Sequence, residues 1–146
     1  MKWVTRARPK TDRIACPWLI RRYIDPDAEI LFAAPGQVLA TAVELGGRSF
    51  DSPGADFTHR GNQCTFEVLV EEFGLDGDPA LARLAAIVHA ADISEDLHTD
   101  LLGPGLLAIG IGGLDVEPDD HRLLQAGMFV YDALYAWCVR QNASQP

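Results

Sequence analysis

The chain has 146 residues, of which 48% are hydrophobic and 23% are charged, a composition that is ordinary for one soluble globular domain with a real core. Its formal net charge of −9 argues against a general nucleic-acid binder, because such proteins need an excess of cations to neutralise phosphates. No apolar run reaches the roughly 18 to 20 residues of a membrane span, and the amino terminus lacks the apolar centre of a signal peptide. We therefore predict a single domain over residues 1–146, without a membrane segment.

The first third of the chain has the pattern of alternating strands and helices. The predicted elements are a strand over residues 3–8, a helix over 16–24, a strand over 29–33, a helix over 38–45 and a short strand over 48–51. A strand, a helix and a further strand in this order are usually parallel through a right-handed crossover. The pattern therefore predicts a small parallel sheet at the amino-terminal end.

The remainder of the chain has the spacing of apolar residues that is typical of helices. A hairpin is predicted from a first helix that Asn62 caps and a second that begins at Asp78-Pro79, and a long last helix follows over residues 118–140. The glycine-rich residues 101–114, which Pro104 opens as a helix, are interpreted as buried packing. Together these elements predict an α+β fold: a small, mostly parallel sheet with a crossover helix, followed by a mainly helical layer.

Imidazoles, a thiol and a carboxylate lie at the two ends of the predicted hairpin. The candidate metal ligands are His59, Cys64, His89 and Asp92. The periodicity places Asp92 in the apolar stripe of its helix, where an unpaired carboxylate would cost several kcal/mol. Glu67 shares a side with Cys64 and is a candidate fifth ligand, or a base for a metal-bound water. These donors suit zinc or iron better than magnesium or calcium.

The same residues also allow an interpretation without a metal. His89 and Asp92 would then form a hydrogen-bonded pair in the core, and Cys64 would be an inert buried thiol. The spacing of the ligands matches no standard zinc motif, so the residues alone leave both interpretations open.

Basic residues are concentrated at the start of an otherwise acidic chain. Arg6, Arg8, Lys10 and Arg13 are candidates for binding a small oxyanion, and the alternative is a solvated face or a set of intramolecular ion pairs.

Cys16 follows these bases at the predicted start of a helix, where the helix dipole and nearby cations lower the pKa of a thiol. That position makes Cys16 a candidate catalytic thiol, and the alternative is a small buried residue beneath the helix. Because the three cysteines are scattered and odd in number, we expect a reducing compartment, the cytoplasm.

Several segments resemble the bacterial chromate-resistance protein family, in particular the carboxy-terminal domain of the ChrB type. The likeness is carried by residues 5–22, 59–66, 87–89 and 132–136, and it extends over nearly the whole chain. Longer family members have an additional amino-terminal domain and are associated with chromate-dependent regulation of resistance operons. The resemblance implies a role of this type, and we do not expect this chain alone to bind nucleic acid.

The resemblance favours sites at Arg6, Arg8, Lys10, Arg13 and Cys16, and at His59, Cys64, His89 and Asp92. Our leading hypothesis is a cytoplasmic domain that binds zinc or iron and handles or senses an oxyanion beside the metal. The alternatives are a metal-free oxyanion reductase that uses Cys16, and a non-catalytic regulatory module. Whether the protein turns over a substrate is left open, and the edges of the small sheet suggest a homodimer.

Overall fold

A computed structural model describes residues 1–143 of the chain. In order, the elements are strand β1 (Lys2–Arg6), helix α1 (Asp12–Leu19) with a π-helical turn (Ile20–Ile24), strand β2 (Glu29–Ala33), helix α2 (Val38–Leu45), strand β3 (Arg48–Ser49), helix α3 (Thr65–Glu72), helix α4 (Pro79–Asp92), a 3₁₀ turn (Ser94–Thr99), helix α5 (Gly103–Val116) and helix α6 (Asp120–Ala143). The α+β architecture that the sequence predicts is confirmed.

The sheet has three parallel strands, with β1 in the middle. β2 and β3 both pair with β1, in a register that places Trp3 opposite Ile30 and Val4 opposite Leu31. Successive side chains of a strand point to opposite faces of its sheet. Trp3 accordingly joins the main core, whereas Val4 packs against α2. The sheet is therefore covered on both faces, as parallel sheets usually are.

Helix α4 lies at the centre of the helical layer and packs against α3, α5 and α6. Its amino terminus confirms the predicted Asp78-Pro79 start, because the Asp78 carboxylate accepts hydrogen bonds from the backbone N–H groups of Ala80 and Leu81 at 2.8 and 3.2 Å. Leu81 and Leu84 are almost completely buried. None of the helices within residues 1–143 is long and apolar enough to cross a membrane.

Two predicted helix starts are wrong. α1 begins at Asp12 instead of Cys16, so Pro17 lies inside the helix and not in its first turn. α3 begins at Thr65 with Cys64 as its N-cap. Asn62 instead belongs to a tight turn in which Arg60 and Gln63 exchange two backbone hydrogen bonds.

The glycine-rich helix α5 is less buried than its composition predicts. Ile109 and Ile111 are 57% and 50% exposed, and the buried residues of α5 are Gly103 and Leu106. The helix approaches α4 closely along one side only, where a Cβ atom at Gly103 would lie 2.6 Å from the Cβ of Ala90. The interpretation of the whole segment as buried packing is therefore wrong, because side chains such as Ile109 and Ile111 remain exposed.

Candidate functional site

A buried carboxylate from α1 caps the amino terminus of α3. Asp12 is fully buried, and its two oxygens accept hydrogen bonds from the backbone N–H groups of Thr65 at 2.7 Å and Phe66 at 3.0 Å. The first N–H groups of a helix have no partner within the helix, and an acid there also interacts favourably with the helix dipole. Asp12 therefore joins two helices that are more than 50 residues apart in sequence.

Three carboxyl groups meet around one imidazole nitrogen beside this cap. The Nε2 atom of His59 lies 3.5 Å from Asp12 Oδ2, 3.4 Å from Asp51 Oδ1 and 3.0 Å from Asp92 Oδ2. The three acids are buried or nearly so, whereas the His59 side chain is 43% exposed. We refer to Asp12, Asp51, His59 and Asp92 as the His59 cluster.

Hydroxyl groups of the surrounding elements hold two of these carboxylates. Thr65 Oγ1 donates a hydrogen bond to Asp51 Oδ1, and Thr11 Oγ1 donates one to Asp92 Oδ1, both at 2.7 Å. Thr11 has a φ of 47°, a left-handed conformation that is rare for a β-branched residue. Its carbonyl oxygen accepts a hydrogen bond from the hydroxyl of Tyr131 at 3.3 Å. These hydrogen bonds therefore hold the carboxylates in fixed positions within the fold.

The pKa values of the cluster reflect burial and mutual repulsion. Burial raises the pKa of Asp12 to about 7, and repulsion from Asp51 and Asp92 adds to this effect against the hydrogen bond from His59. Hydrogen bonds to Asp12 and Asp51 raise the pKa of His59 to about 10. Burial also tends to raise the pKa of Asp51, but its hydrogen bonds with His59 and Thr65 outweigh this and hold it below the usual value. The cluster is therefore a place where a cation is stabilised.

A second imidazole lies between two carboxylates near the α3 amino terminus. His89 Nδ1 is 2.5 Å from Glu67 Oε1, and His89 Nε2 is 2.6 Å from Asp96 Oδ2. The Cys64 sulfur, a Glu67 oxygen and a His89 nitrogen lie within 4.8 Å of one another. We refer to Cys64, Glu67, His89 and Asp96 as the His89 cluster.

The ionisation of this second cluster is also shifted. Burial lowers the pKa of His89, but hydrogen bonds with Asp96 and Glu67 raise it more, so that the net shift is upward. Burial raises the pKa of the Cys64 thiol well above its ordinary value, and the charge of Asp12 adds to this. Without a bound cation, Cys64 is therefore a neutral thiol.

The four predicted metal ligands are thus divided between two clusters. His59 and Asp92 come together in one, and Cys64 and His89 come together with Glu67 in the other. The predicted hydrogen-bonded pair of His89 and Asp92 is not among the hydrogen bonds of His89, which go to Glu67 and Asp96.

Asp12, Asp51 and Asp96 are candidate site residues that the sequence analysis did not predict. A signal for Asp12 exists: Asp12, Cys16 and Leu19 follow at helical spacing, and all three are buried. The same argument that singled out Asp92, an acid within an apolar stripe, would have found Asp12 had the helix start been placed correctly. Asp51 lies just after a two-residue strand, where no periodic pattern marks it.

The predicted oxyanion residues are not all brought together. Arg6 and Arg13 each lie 3.6–3.7 Å from Asp51 Oδ2 and so face the His59 cluster. Arg8 turns the opposite way, and its guanidinium donates hydrogen bonds to Asp120 and to the carbonyl oxygens of Leu114, Glu117 and Pro118. Lys10 packs beside Gly110 of α5.

A cleft of about 250 Å³ opens next to His59. Its lining residues are Arg6, Asp51, Ser52, Pro53, Thr58 and His59. One predicted basic residue and one predicted metal ligand therefore share a solvent-accessible opening.

Cys16 differs from its predicted state. It lies inside α1, is fully buried, and its thiol donates a hydrogen bond to Asp12 Oδ1 at 3.5 Å. Burial raises the pKa of this thiol well above its ordinary value, and the neighbouring carboxylate of Asp12 raises it further. The prediction that the helix terminus and nearby bases lower the pKa of Cys16 is therefore wrong, because the helix begins one turn earlier than its proline suggested.

Over most of its length the chain is similar in sequence to known proteins. Residues 3–138 match the family described as ChrB, C-terminal domain. Protein ChrB from Cupriavidus metallidurans is 40% identical to this chain over 134 residues, which cover 92% of this chain and 40% of that relative. The chain therefore spans less than half the length of this relative. No solved structure matches the chain.

Proposed function

Because the chain belongs to the chromate-resistance family of the ChrB C-terminal domain, we propose that it holds zinc or iron at the His59 cluster and binds a small oxyanion beside the metal. The observation that carries this proposal is the convergence of three carboxyl groups on His59 Nε2, all within 3.5 Å. Three acids around a single imidazole repel one another, and a divalent cation would relieve that repulsion.

The donor set fits these metals. Imidazole nitrogen and carboxylate oxygen bind zinc and iron at about 2.0–2.2 Å, and the ligand atoms of Asp12, His59 and Asp92 lie within 4.8 Å of one another. Carboxylates that bind metals are usually held by further hydrogen bonds. Here the helix amino terminus supports Asp12, and Thr11 supports Asp92.

The neighbouring cleft supports the second half of the proposal. Arg6 is about one-third exposed and lines the same opening as His59. A guanidinium presents a planar set of donors that suits an oxyanion. An anion in the cleft would be attracted by both Arg6 and a metal at the cluster, so we restrict the proposed oxyanion residues to Arg6, supported by Arg13.

The other two hypotheses are affected differently by these contacts. Reactive cysteines are exposed and have a lowered pKa, so the burial of Cys16 and its raised pKa speak against the thiol-dependent reductase. A regulatory role is favoured by one observation. The cluster draws its residues from α1, from the segment after β3 and from α4, so an ion bound there would tie together three parts of the fold.

Elemental analysis tests the metal. The wild-type protein, purified without an affinity tag, is compared by plasma mass spectrometry with His59→Ala and with His121→Ala, a control at an exposed histidine. We expect about one equivalent of zinc or iron that depends on His59 and that persists in the control. Equal metal content in all three proteins, or a wild type that takes up neither metal on reconstitution, would overturn the proposal.

Calorimetric titration of the metal-loaded protein with chromate tests the anion. Arg6→Gln should weaken binding at least about tenfold, as expected for the loss of a charged hydrogen bond. Arg122→Gln, at an exposed arginine away from the cleft, should leave the affinity unchanged. Equal losses in both variants would mean that only the net charge matters.

A further inference from the structure

A thiol, a carboxylate and an imidazole come together in the His89 cluster in a way that the function proposed above does not use. The ligand atoms of Cys64, Glu67 and His89 lie within 4.8 Å of one another. Cys64 is completely buried, and the side chains of His89 and Glu67 are only 15% and 26% exposed. We propose that these three residues form a second metal site, separate from the His59 cluster, and that it takes a thiophilic divalent ion such as zinc.

Asp96 orients the imidazole for this task. The Nε2 atom of His89 lies 2.6 Å from Asp96 Oδ2, and this contact turns Nδ1 toward Glu67. A metal-bound histidine almost always donates its other ring N–H to a carboxylate or a carbonyl group. The Nδ1 atom of His89 lies 2.5 Å from Glu67 Oε1, and a metal ion would bind between these two ligand atoms.

The amino terminus of α3 positions the sulfur atom of Cys64. Cys64 is the N-cap, and the backbone N–H of Glu67 is directed at its side chain, while the Glu67 carboxylate accepts the Cys64 backbone N–H at 3.0 Å. Because the positive end of a helix stabilises a negative charge, a thiolate is favoured here once a cation shares the site. The reciprocal contacts also hold Cys64 and Glu67 at a fixed separation.

The three protein ligands leave a coordination position for another ligand, and one of them lies beside a cleft. Three protein ligands leave one position of a tetrahedral zinc ion open, as in catalytic zinc sites. A cleft of about 320 Å³ borders Glu67, with Gln63, Glu71 and Asp76 among its lining residues. Glu67 therefore borders a solvent-accessible cleft whose lining residues differ from those of the Arg6 cleft.

The two clusters contribute different atoms although both adjoin the α3 amino terminus. The backbone N–H groups of Thr65 and Phe66 hold Asp12 of the His59 cluster. The side chains of Cys64 and Glu67 belong to the His89 cluster instead. Only this second set contains sulfur, so its occupation has a spectroscopic signature that the His59 cluster lacks.

Cobalt titration uses this difference. The full chain is stripped of metal and titrated with Co²⁺, and the charge-transfer absorption from thiolate to cobalt is recorded in the near ultraviolet. We expect the band in the wild type, in His59→Ala and in Cys138→Ser, a control at another buried cysteine. The band should be absent in Cys64→Ser, where serine preserves the N-cap, and Asp96→Asn should weaken cobalt binding by about 10- to 100-fold.

Each outcome bears on a definite statement. A wild type without the band at saturating cobalt, or a band that survives in Cys64→Ser, would overturn the second site. The two proposals can fail separately. If the cobalt band is present but elemental analysis finds no metal that depends on His59, the second site is retained and the function proposed above is refuted. Far-ultraviolet circular dichroism of each variant shows whether it is folded, and unaltered cobalt affinity in the conservative Asp96→Asn variant would refute the assigned role of Asp96.

Discussion

The His59 and His89 clusters flank the same helix amino terminus, but they are assembled over very different distances along the chain. His89 meets Glu67 and Asp96, which are 22 and 7 residues away in sequence. The His59 cluster needs Asp12, Asp51 and Asp92, and one of its supporting hydrogen bonds joins residues 81 positions apart. A helical hairpin and its following turn therefore suffice for one cluster, whereas the other exists only after the sheet, α1 and α4 have packed.

The two clusters also differ in their charged surroundings. Arg6 and Arg13 both approach Asp51 of the His59 cluster, whereas the recorded ion pairs of Glu67 and Asp96 within residues 1–143 go to His89. The proposed oxyanion would therefore meet cations at the first cluster. The second, with its sulfur and a carboxylate on each side of the imidazole, is suited to a cation alone.

The largest effect is expected from Asp12→Ala. The substitution leaves the N–H groups of Thr65 and Phe66 buried without their acceptor, at a cost of about 1–3 kcal/mol each, and relief of repulsion among the acids offsets part of this. We expect the free energy of unfolding in urea, measured with a chelator, to fall by about 2–4 kcal/mol. Glu67→Ala, which removes an acid from the His89 cluster, should lower the free energy of unfolding by a smaller amount. If Glu67→Ala destabilised the protein more than Asp12→Ala, the distinction between a cluster built by long-range packing and one built locally would be wrong.

Metal binding should stabilise the protein through His59. An ion present at 100 times its dissociation constant raises the free energy of unfolding by about 2.7 kcal/mol when it binds the folded state alone. Because the proposed second site also takes zinc, the gain is compared in a Cys64→Ser background, where it should vanish when His59→Ala is added. The Cys64→Ser variant should keep it. Thermal or urea unfolding with and without zinc measures both, and an equal gain in the double variant would show that the stabilising ion lies elsewhere.

Substitutions at Arg8 and Arg6 distinguish a basic residue that stabilises the fold from one that is proposed to bind an anion. Arg8 donates to three carbonyl oxygens at the end of α5 and to Asp120, so Arg8→Ala should lower the free energy of unfolding by about 1–2 kcal/mol. The zinc or iron content of the purified protein should remain unchanged. Arg6→Gln should show the opposite pattern: a smaller change in the free energy of unfolding, and weaker binding of chromate. Loss of chromate binding in a folded Arg8→Ala protein would contradict this division.

The smallest effect is expected at Cys16, the thiol beside the His59 cluster. Cys16→Ala removes one buried sulfur atom, and we expect less than about 2 kcal/mol of destabilisation with unchanged metal content. Because burial raises the pKa of this thiol, the folded wild type should resist alkylation by iodoacetamide at neutral pH and react only after unfolding. Rapid labelling of Cys16 in the folded protein, detected by peptide mass spectrometry, would restore the thiol hypothesis.

Local sequence signals determined the class of fold and most of its elements. Asp78 and Pro79 mark the start of α4, and the β2 and α2 ranges agree with the apolar patterns, because caps and periodicity act over a few residues. The same local chemistry identified His59, Cys64, Glu67, His89 and Asp92 as candidates. It failed at Pro17, since a proline inside a helix has the same local appearance as one in its first turn.

Only the tertiary structure decided which of these polar groups meet. Asp12 becomes a site residue because α1 points it at unpaired N–H groups of α3, and Arg8 leaves the basic group because α5 ends beside it with free carbonyl oxygens. Both partnerships join residues more than 50 positions apart. The amino-acid pattern specifies where helices and strands form, but the pairing of buried charges follows from how those elements pack.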